Sequence, residues 1–329
     1  MKKLILTVIV IAMFIGAVSA QSKDAGGEFK SFGKPFVKIF TNYHSSFSDG
    51  ENANVFEITR AYFGYEYNFS KEFSGKLTLD VGNPGTGSLQ QTIFLKTAYL
   101  QYKKDKISVG LGLLGLVQFK EQEEVWGYRY IYKSFQDEHK YNSSADLGMI
   151  VAYDFSDQFS MDFSLTNGEG YKIIVVDSLL RTGFGATIKP VKDLVFRAYY
   201  DFIKKQGVSQ QSIALFAGYT GKNLSLGTEY NRFLNAKNAT DKNLNGYSFY
   251  GTFTSKNKSK IFARFDLLNS NEISGNNWNL NKDGSLIILG YEFSPVKGVK
   301  IAPNYQGWNP KDDSKKMTSA FYLNLEIKL

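Results

Sequence analysis

The chain has 329 residues, with 39 Lys and Arg against 31 Asp and Glu, no Cys, and a 16% aromatic content that includes 27 Phe and 21 Tyr. A disulfide framework and cysteine metal sites are therefore excluded, and charge scattered so evenly is a poor footprint for nucleic acid. A mean hydropathy of -0.26 and the absence of long apolar runs beyond the first twenty residues exclude α-helical membrane spans.

At the start, Lys2 and Lys3 precede an apolar run over 4–14, and Val18, Ser19 and Ala20 supply small residues. This is the grammar of a secretory signal peptide over 1–20, cleaved before Gln21. Residues 21–34 are polar and Gly-rich and are expected to form a flexible periplasmic lead-in. From 35 to 329 the pattern becomes strand-like. A first strand is predicted over 36–43. A second, over 55–69, has Ala61, Phe63, Tyr65, Tyr67 and Phe69 on one face and Arg60, Tyr62, Gly64, Glu66 and Asn68 on the other. After a turn at 70–72, residues 73–82 alternate without a fault, the signature of a half-buried strand. Strands follow over 93–103 and from Ile107 to Leu113, then from Leu147 to Phe155 and from Phe159 to Leu165. The same alternation continues through Leu180 to Ile188, Leu194 to Phe202, Ile213 to Tyr219, Leu224 to Tyr230, Tyr247 to Phe253 and Ile261 to Leu267. It ends with Ile287 to Phe293, Val299 to Tyr305 and Phe321 to Leu329.

About sixteen strands result, and their connections alternate in length. Short turns are predicted at 70–72, 104–105, 156–158, 190–193, 221–223, 256–259 and 294–298. Long loops are predicted at 45–54, 83–92, 118–144, 167–179, 203–211, 234–245, 269–284 and 307–317. Short turns on one rim and long loops on the other are the layout of a transmembrane antiparallel β-barrel with periplasmic turns and extracellular loops. The apolar face of each strand then meets lipid and the polar face meets a lumen. Aromatic residues such as Phe69, Phe155, Tyr219 and Phe253 fall where apolar faces meet turns, the headgroup level. On this assignment Leu79→Arg is expected to cost roughly 2–4 kcal/mol and Thr78→Arg little.

The stretch 118–144 is the longest interruption, and long loops in compact folds are usually functional. It is expected to fold into the barrel and form the pore constriction with Glu121, Glu123, Glu124, Arg129, Lys133 and Asp137; a loop packed on its own aromatics is the alternative. Pore-lining residues are expected to be Arg60, Lys76, Asp80, Arg181, Arg197, Asp201, Arg264 and Asp266. Three features resist the pattern. Pro303 falls on an outward strand position and predicts a bulge. Leu286 and Ile288 put apolar groups on the lumen face. Ile173 to Val176 is an apolar run in a loop. Gly110 to Gly115 spells a GxGxxG string without the strand–helix context that would give it meaning. His44 and His139 have no metal-ligand spacing around them.

Several stretches resemble the outer-membrane porins of the phosphate-selective porin O and P family, in the form common in Bacteroidetes-like bacteria. They are FSGKLTLDVGN (73–83), LKTAYLQY (95–102), EVWGYRYIYKSFQD (124–137), SADLGMIVAYDF (144–155), SLTNGEGY (164–171), ARFDLL (263–268) and FSPVKGVKIAPNYQ (293–306). The resemblance implies a trimeric sixteen-strand diffusion channel whose third long loop, here 118–144, folds inward. This chain departs from the family's pattern in two ways. Its lumen face mixes Arg60, Lys76, Arg181, Arg197, Arg264 and Lys300 with Glu66, Asp80, Asp154, Asp162, Asp201, Glu229, Asp266 and Glu292, where phosphate-selective members line the pore with cations. It also ends in Leu329 where such barrels end in an aromatic residue. The expectation is an outer-membrane porin passing small hydrophilic solutes or ions, embedded in outer-membrane lipid as a homotrimer, without enzymatic activity, cofactor, metal or nucleic-acid partner. A non-conducting barrel acting in binding or adhesion, or a barrel hydrolase, is the alternative.

Overall fold

The computed structural model describes residues 29–83, 91–173 and 179–329. The expected signal peptide, most of the polar lead-in and part of the 173–176 apolar run lie outside them. The strands are β1 (Phe32–Ser48), β2 (Glu51–Asn68), β3 (Phe73–Gly82), β4 (Thr92–Lys104), β5 (Ile107–Gly115), β6 (Ala145–Ser156), β7 (Phe159–Thr166), β8 (Arg181–Val191) and β9 (Leu194–Lys205). They continue with β10 (Val208–Thr220), β11 (Leu224–Leu234), β12 (Leu244–Thr254), β13 (Lys260–Ser270), a two-strand hairpin β14 (Glu272–Ile273) and β15 (Asn276–Asn277), then β16 (Gly284–Glu292), β17 (Val299–Pro310) and β18 (Thr318–Lys328). Apart from the β14–β15 hairpin, sixteen strands pair antiparallel in chain order, and β1 pairs with β18 to close the barrel. Closure leaves no sheet edge, so each spanning strand finds its backbone partners within the protein. Even the terminal residue takes part: the Leu329 amide donates to the Val37 carbonyl at 3.0 Å.

The predicted faces hold. Phe63 and Leu289 are more than half exposed on the outer surface, and Leu77, Phe184, Phe249 and Phe265 are exposed beside them. Apolar surface on this scale is unfavourable in water and is matched by hydrocarbon. No helix among the described residues is long and apolar enough to cross a membrane; the crossings are made by strands. Outward aromatics pair near the short turns, as in the stacked rings of Phe155 and Phe159, 5.3 Å apart.

Four expectations need correction. The first strand begins at Phe32 rather than Phe36, so residues 32–34 of the expected lead-in are already in the sheet. The long loops expected at 45–54 and 203–211 are tight two-residue turns on extended strands. Asp49 and Gly50 have φ of 51° and 83°, and Gln206 and Gly207 have 50° and 85°, the positive angles of a hairpin turn whose twist matches its strands. Alternation fades there because these hairpins run past the length a bilayer requires. β2 alone has 18 residues, against about 9–11 for a tilted crossing, and beyond the lipid an outward position has no need to be apolar. Pro303 makes no bulge; instead the β16–β17 ladder stops at Gly290↔Asn304 and resumes as the single bridge Phe293↔Ile301. The true register shifts lie elsewhere, including one at Thr59 in β2 and one at Lys96 in β4.

Thr78 also departs from expectation. It points inward, as assigned, but it is buried and accepts a hydrogen bond at 2.9 Å from the Thr97 hydroxyl. Thr78→Arg is therefore costly for reasons of packing rather than of lipid.

Candidate functional site: the inward loop and the two walls of the lumen

Between β5 and β6 the chain turns into the barrel. It forms α1 (Lys120–Trp126) and α2 (Phe135–Glu138). Helix α1 stops at Gly127, whose φ of 72° is the left-handed conformation that ends helices at low cost for glycine. The amide of Gly127 then closes the last turn on the Glu123 carbonyl at 2.9 Å.

The aromatic residues of the loop face a wall. Trp126, Tyr128 and Tyr130 are almost wholly buried with Phe216, Tyr250, Phe262, Leu286 and Ile288 of the strands. Tyr128 stacks on Phe262 at 4.3 Å, and Trp126 meets Tyr250 and Phe262 edge to face. Leu286 and Ile288, out of place on a wetted lumen, are therefore the floor on which the loop rests. Wall glycines make room: a side chain at Gly290 would collide with the Phe262 ring, and one at Gly246 with Phe135. Polar contacts fix the seating. Tyr130 donates to Glu292 at 2.8 Å, Tyr250 donates to the Gln122 carbonyl at 3.1 Å, and Gln136 donates to Asn231 at 2.8 Å.

Arg264 is the central anchor. It makes two hydrogen bonds to Asp266, each of 2.8 Å, and donates to the Lys133 carbonyl at 2.9 Å. Its guanidinium also lies 5.0 to 5.7 Å from the rings of Trp126, Tyr132 and Tyr250, within reach of cation–π attraction. Arg181 with Asp201, and Arg197 with Asp162, are similar pairs; Arg181 also holds the Tyr141 carbonyl and Arg197 the Val117 carbonyl, each at 3.1 Å. Arg181, Arg197, Asp201, Arg264 and Asp266 thus point inward as expected, but the largest exposure among them is 6%. As pore-lining residues they are a correction: they lie beneath the loop, pinning it at its start, middle and end.

The opposite side of the loop carries the charges. Arg129 bridges Glu123 at 2.6 Å and Asp137 at 2.7 Å. Its side chain is 22% exposed, Glu123 30% and Asp137 13%. Lys133 pairs with Glu138 at 3.3 Å. Burial raises the Glu123 carboxyl above its ordinary value; Arg129 opposes this, and Asp137 adds to it. Lys96 and Lys38 are near enough to lower it as well. Glu121 turns away to pair with Lys189 at 3.4 Å, and Glu124 is open to solvent.

Facing this trio is the uncovered wall. Arg60 pairs with Asp80 at 3.1 Å, and Tyr171 donates to the same carboxylate at 3.3 Å. Lys76 pairs with Glu66, both partly exposed. Asp80 itself is wholly buried. Lys96 reaches the Ser144 hydroxyl and lies 3.8 Å from the centre of the Tyr171 ring. Lys38, Lys96 and Tyr171 were not among the predicted residues. Lys96 had a signal in the sequence: apolar positions run odd at Ile93 and Leu95, then even at Ala98 and Leu100. That switch of parity marks the bulge that turns Lys96 inward.

A closed sixteen-strand barrel with an apolar exterior and a loop folded against its inner wall is the fold of the bacterial porins. Solved structures bear this likeness out. OprB of Pseudomonas putida aligns with a TM-score of 0.71 at 10% identity, over 90% of this chain and 94% of its own. An anion-selective porin of Comamonas acidovorans aligns at 0.69 and 12%, over 91% of this chain and 100% of its own. OmpF of Salmonella typhi, in complex with daunomycin, aligns at 0.66 and 13%, over 90% and 97%. No family model and no curated protein sequence matches the chain.

Proposed function

We propose that the protein is an outer-membrane porin: a passive channel for small hydrophilic solutes or ions, narrowed between loop 118–144 and the wall of β1–β4. Residues 1–20 serve as its export signal. The two-sidedness of the loop carries this reading. One side is anchored by buried rings and arginine pairs. The other holds Glu123, Arg129 and Asp137, partly solvated, toward Lys38, Arg60 and Lys96. Opposed charges across a narrow aqueous gap set which ions enter.

Selectivity for phosphate, the finer form of the family resemblance, has less support than a mild preference for anions. On the solvated surfaces Lys38, Arg60, Lys76, Lys96, Arg129 and Lys133 outnumber Glu66, Glu123, Asp137 and Glu138. The Comamonas porin that it resembles in fold is anion-selective. Assembly as a homotrimer is part of the proposal, and chemical cross-linking in outer-membrane fragments tests it. The decisive measurement is conductance of purified, folded protein in planar bilayers. Discrete steps are expected, with a reversal potential under a salt gradient that moves toward cation preference in Arg129→Gln. Folded protein that passes no current would overturn the channel in favour of a binding barrel.

A further inference from the structure

The long-loop mouth of the barrel contains a cavity of about 440 Å³ that the constriction does not use. Small-molecule sites occupy roughly 300–1,000 Å³. Its aromatic surface comes from four separate segments: Tyr132 of the inward loop, Phe233 of β11, Trp278 of the loop between β13 and β16, and Trp308 of β17. Trp278 is fixed in place. Its indole N–H donates to the Asn243 carbonyl at 3.0 Å, and the ring packs on the buried cluster of Phe135, Phe233 and Leu268. At the edge stand three exposed ammonium groups, Lys140, Lys237 and Lys282. None of them is in a salt bridge among the described residues. Glu138, the carboxylate in the lining, is already engaged by Lys133.

This combination narrows the chemistry. Indole and phenol rings offer flat apolar faces with a polar edge, and these suit the C–H face of a sugar ring. Unpaired ammonium groups favour a carboxylate through charge-assisted hydrogen bonds. A bare inorganic anion would have no use for the rings, and a neutral apolar ligand no use for three cations. We propose that this cavity binds a saccharide carrying a carboxylate, at the mouth and ahead of the constriction. The proposal deepens the channel reading by naming a class of solute, and it rests on that reading for its role in transport.

The chain has three tryptophans, and two of them line the cavity, so intrinsic fluorescence reports occupancy directly. Folded full-length protein in detergent would be titrated with digalacturonate, neutral galactobiose, benzoate and acetate at matched ionic strength. A saturable change is expected with digalacturonate, with affinity about ten-fold above that for galactobiose, as the loss of charge-assisted hydrogen bonds implies. Lys237→Gln combined with Lys282→Gln, both on the exposed rim, should abolish the preference for the acid and leave the weaker neutral binding. Trp308→Ala should weaken both sugars. The proposal is overturned if neither sugar gives a saturable change, if benzoate or acetate binds as tightly as digalacturonate, or if the double lysine variant keeps its preference. Conductance measured on the same preparation separates the two readings. Current without sugar binding defeats the site alone, and sugar binding without current supports the site and defeats the channel.

Discussion

The lumen has two walls that the chain builds by the same rule and uses differently. On both, strands alternate an outward apolar residue with an inward polar one. Along β8–β13 and β16–β18 loop 118–144 covers inward residues whose charges are closed into buried pairs such as Arg264 with Asp266, while Lys260 and Lys300 remain partly exposed. Along β2–β4 the inward cations Arg60 and Lys76 keep contact with solvent, while Asp80 beneath Arg60 is buried. An inward arginine is thus a clamp on one wall and, in the proposed channel, a surface for passing ions on the other. Buried pairs are costly to break because the partner left behind has no water, whereas partly exposed pairs are screened and contribute little to stability. The same residue type should therefore answer mutation in stability on one wall and in permeation on the other.

The sharpest way to test that contrast is to break the central clamp. Arg264→Met leaves Asp266 buried and unpaired and releases the Lys133 carbonyl, so a loss of about 3–5 kcal/mol is expected. Urea unfolding in detergent, followed by heat-modifiable mobility, measures it; the loss should far exceed that from Lys76→Gln on the open wall. Removing the principal ring of the loop acts on the same wall by a different route. Trp126→Ala empties a site that is 1% exposed and should cost about 3–5 kcal/mol. With its seat weakened, the loop should no longer hold a single position, and single-channel current should become larger and noisier. If the current stays quiet and unchanged, the aromatic packing does not set the width of the path.

How far this division could be read in advance follows from what a bilayer demands. Lipid requires an apolar group at every second position of a crossing strand, so faces, strand number and short turns were legible from residues such as those of 73–82. Loop 118–144 stood out by length and by its aromatic content. Alternation says which side a residue points to, and nothing about what covers it. Whether Arg197 is wetted depends on Val117, 80 positions earlier, and Arg264 depends on Lys133, 131 positions earlier, and on Trp126 still further back. Leu286 and Ile288 hinted at a covered wall, since apolar groups facing a lumen need something dry against them. The Asp49–Gly50 and Gln206–Gly207 hairpins were misjudged because they project where lipid no longer dictates the pattern.

The outer surface offers a control of intermediate size. Leu77 is 44% exposed toward lipid, and its inward neighbour is Lys76. Leu77→Arg should cost roughly 2–4 kcal/mol in folding from urea into bilayers, the depth-dependent penalty for a cation facing lipid. Lys76→Gln should change that free energy by less than about 1 kcal/mol, since its pair with Glu66 is solvated on both sides. Equal penalties would mean that the two faces of β3 do not differ in solvent, and the division between lipid and lumen would fall with them.

The smallest expected effect belongs to Glu123, on the solvated side of the loop. Burial raises its carboxyl above the ordinary 4.5, against the pull of Arg129. A raised acid takes up its proton first as pH falls, while exposed carboxylates remain charged. Acidification should therefore remove a negative charge from the narrow region before it alters the rims, and the reversal potential should shift toward anions with a midpoint above 4.5. The sign for folding follows from the same displacement. A carboxyl raised in the folded state binds its proton more tightly there than in the unfolded chain, so this group favours folding below its folded value and disfavours it above. Glu123→Gln should abolish the pH-dependent shift in selectivity and hold the channel near its acid-side reversal potential at neutral pH. A shift that survives in Glu123→Gln would place the titrating charge elsewhere on the path, with Asp137, the other carboxylate bound by Arg129, as the next group to replace.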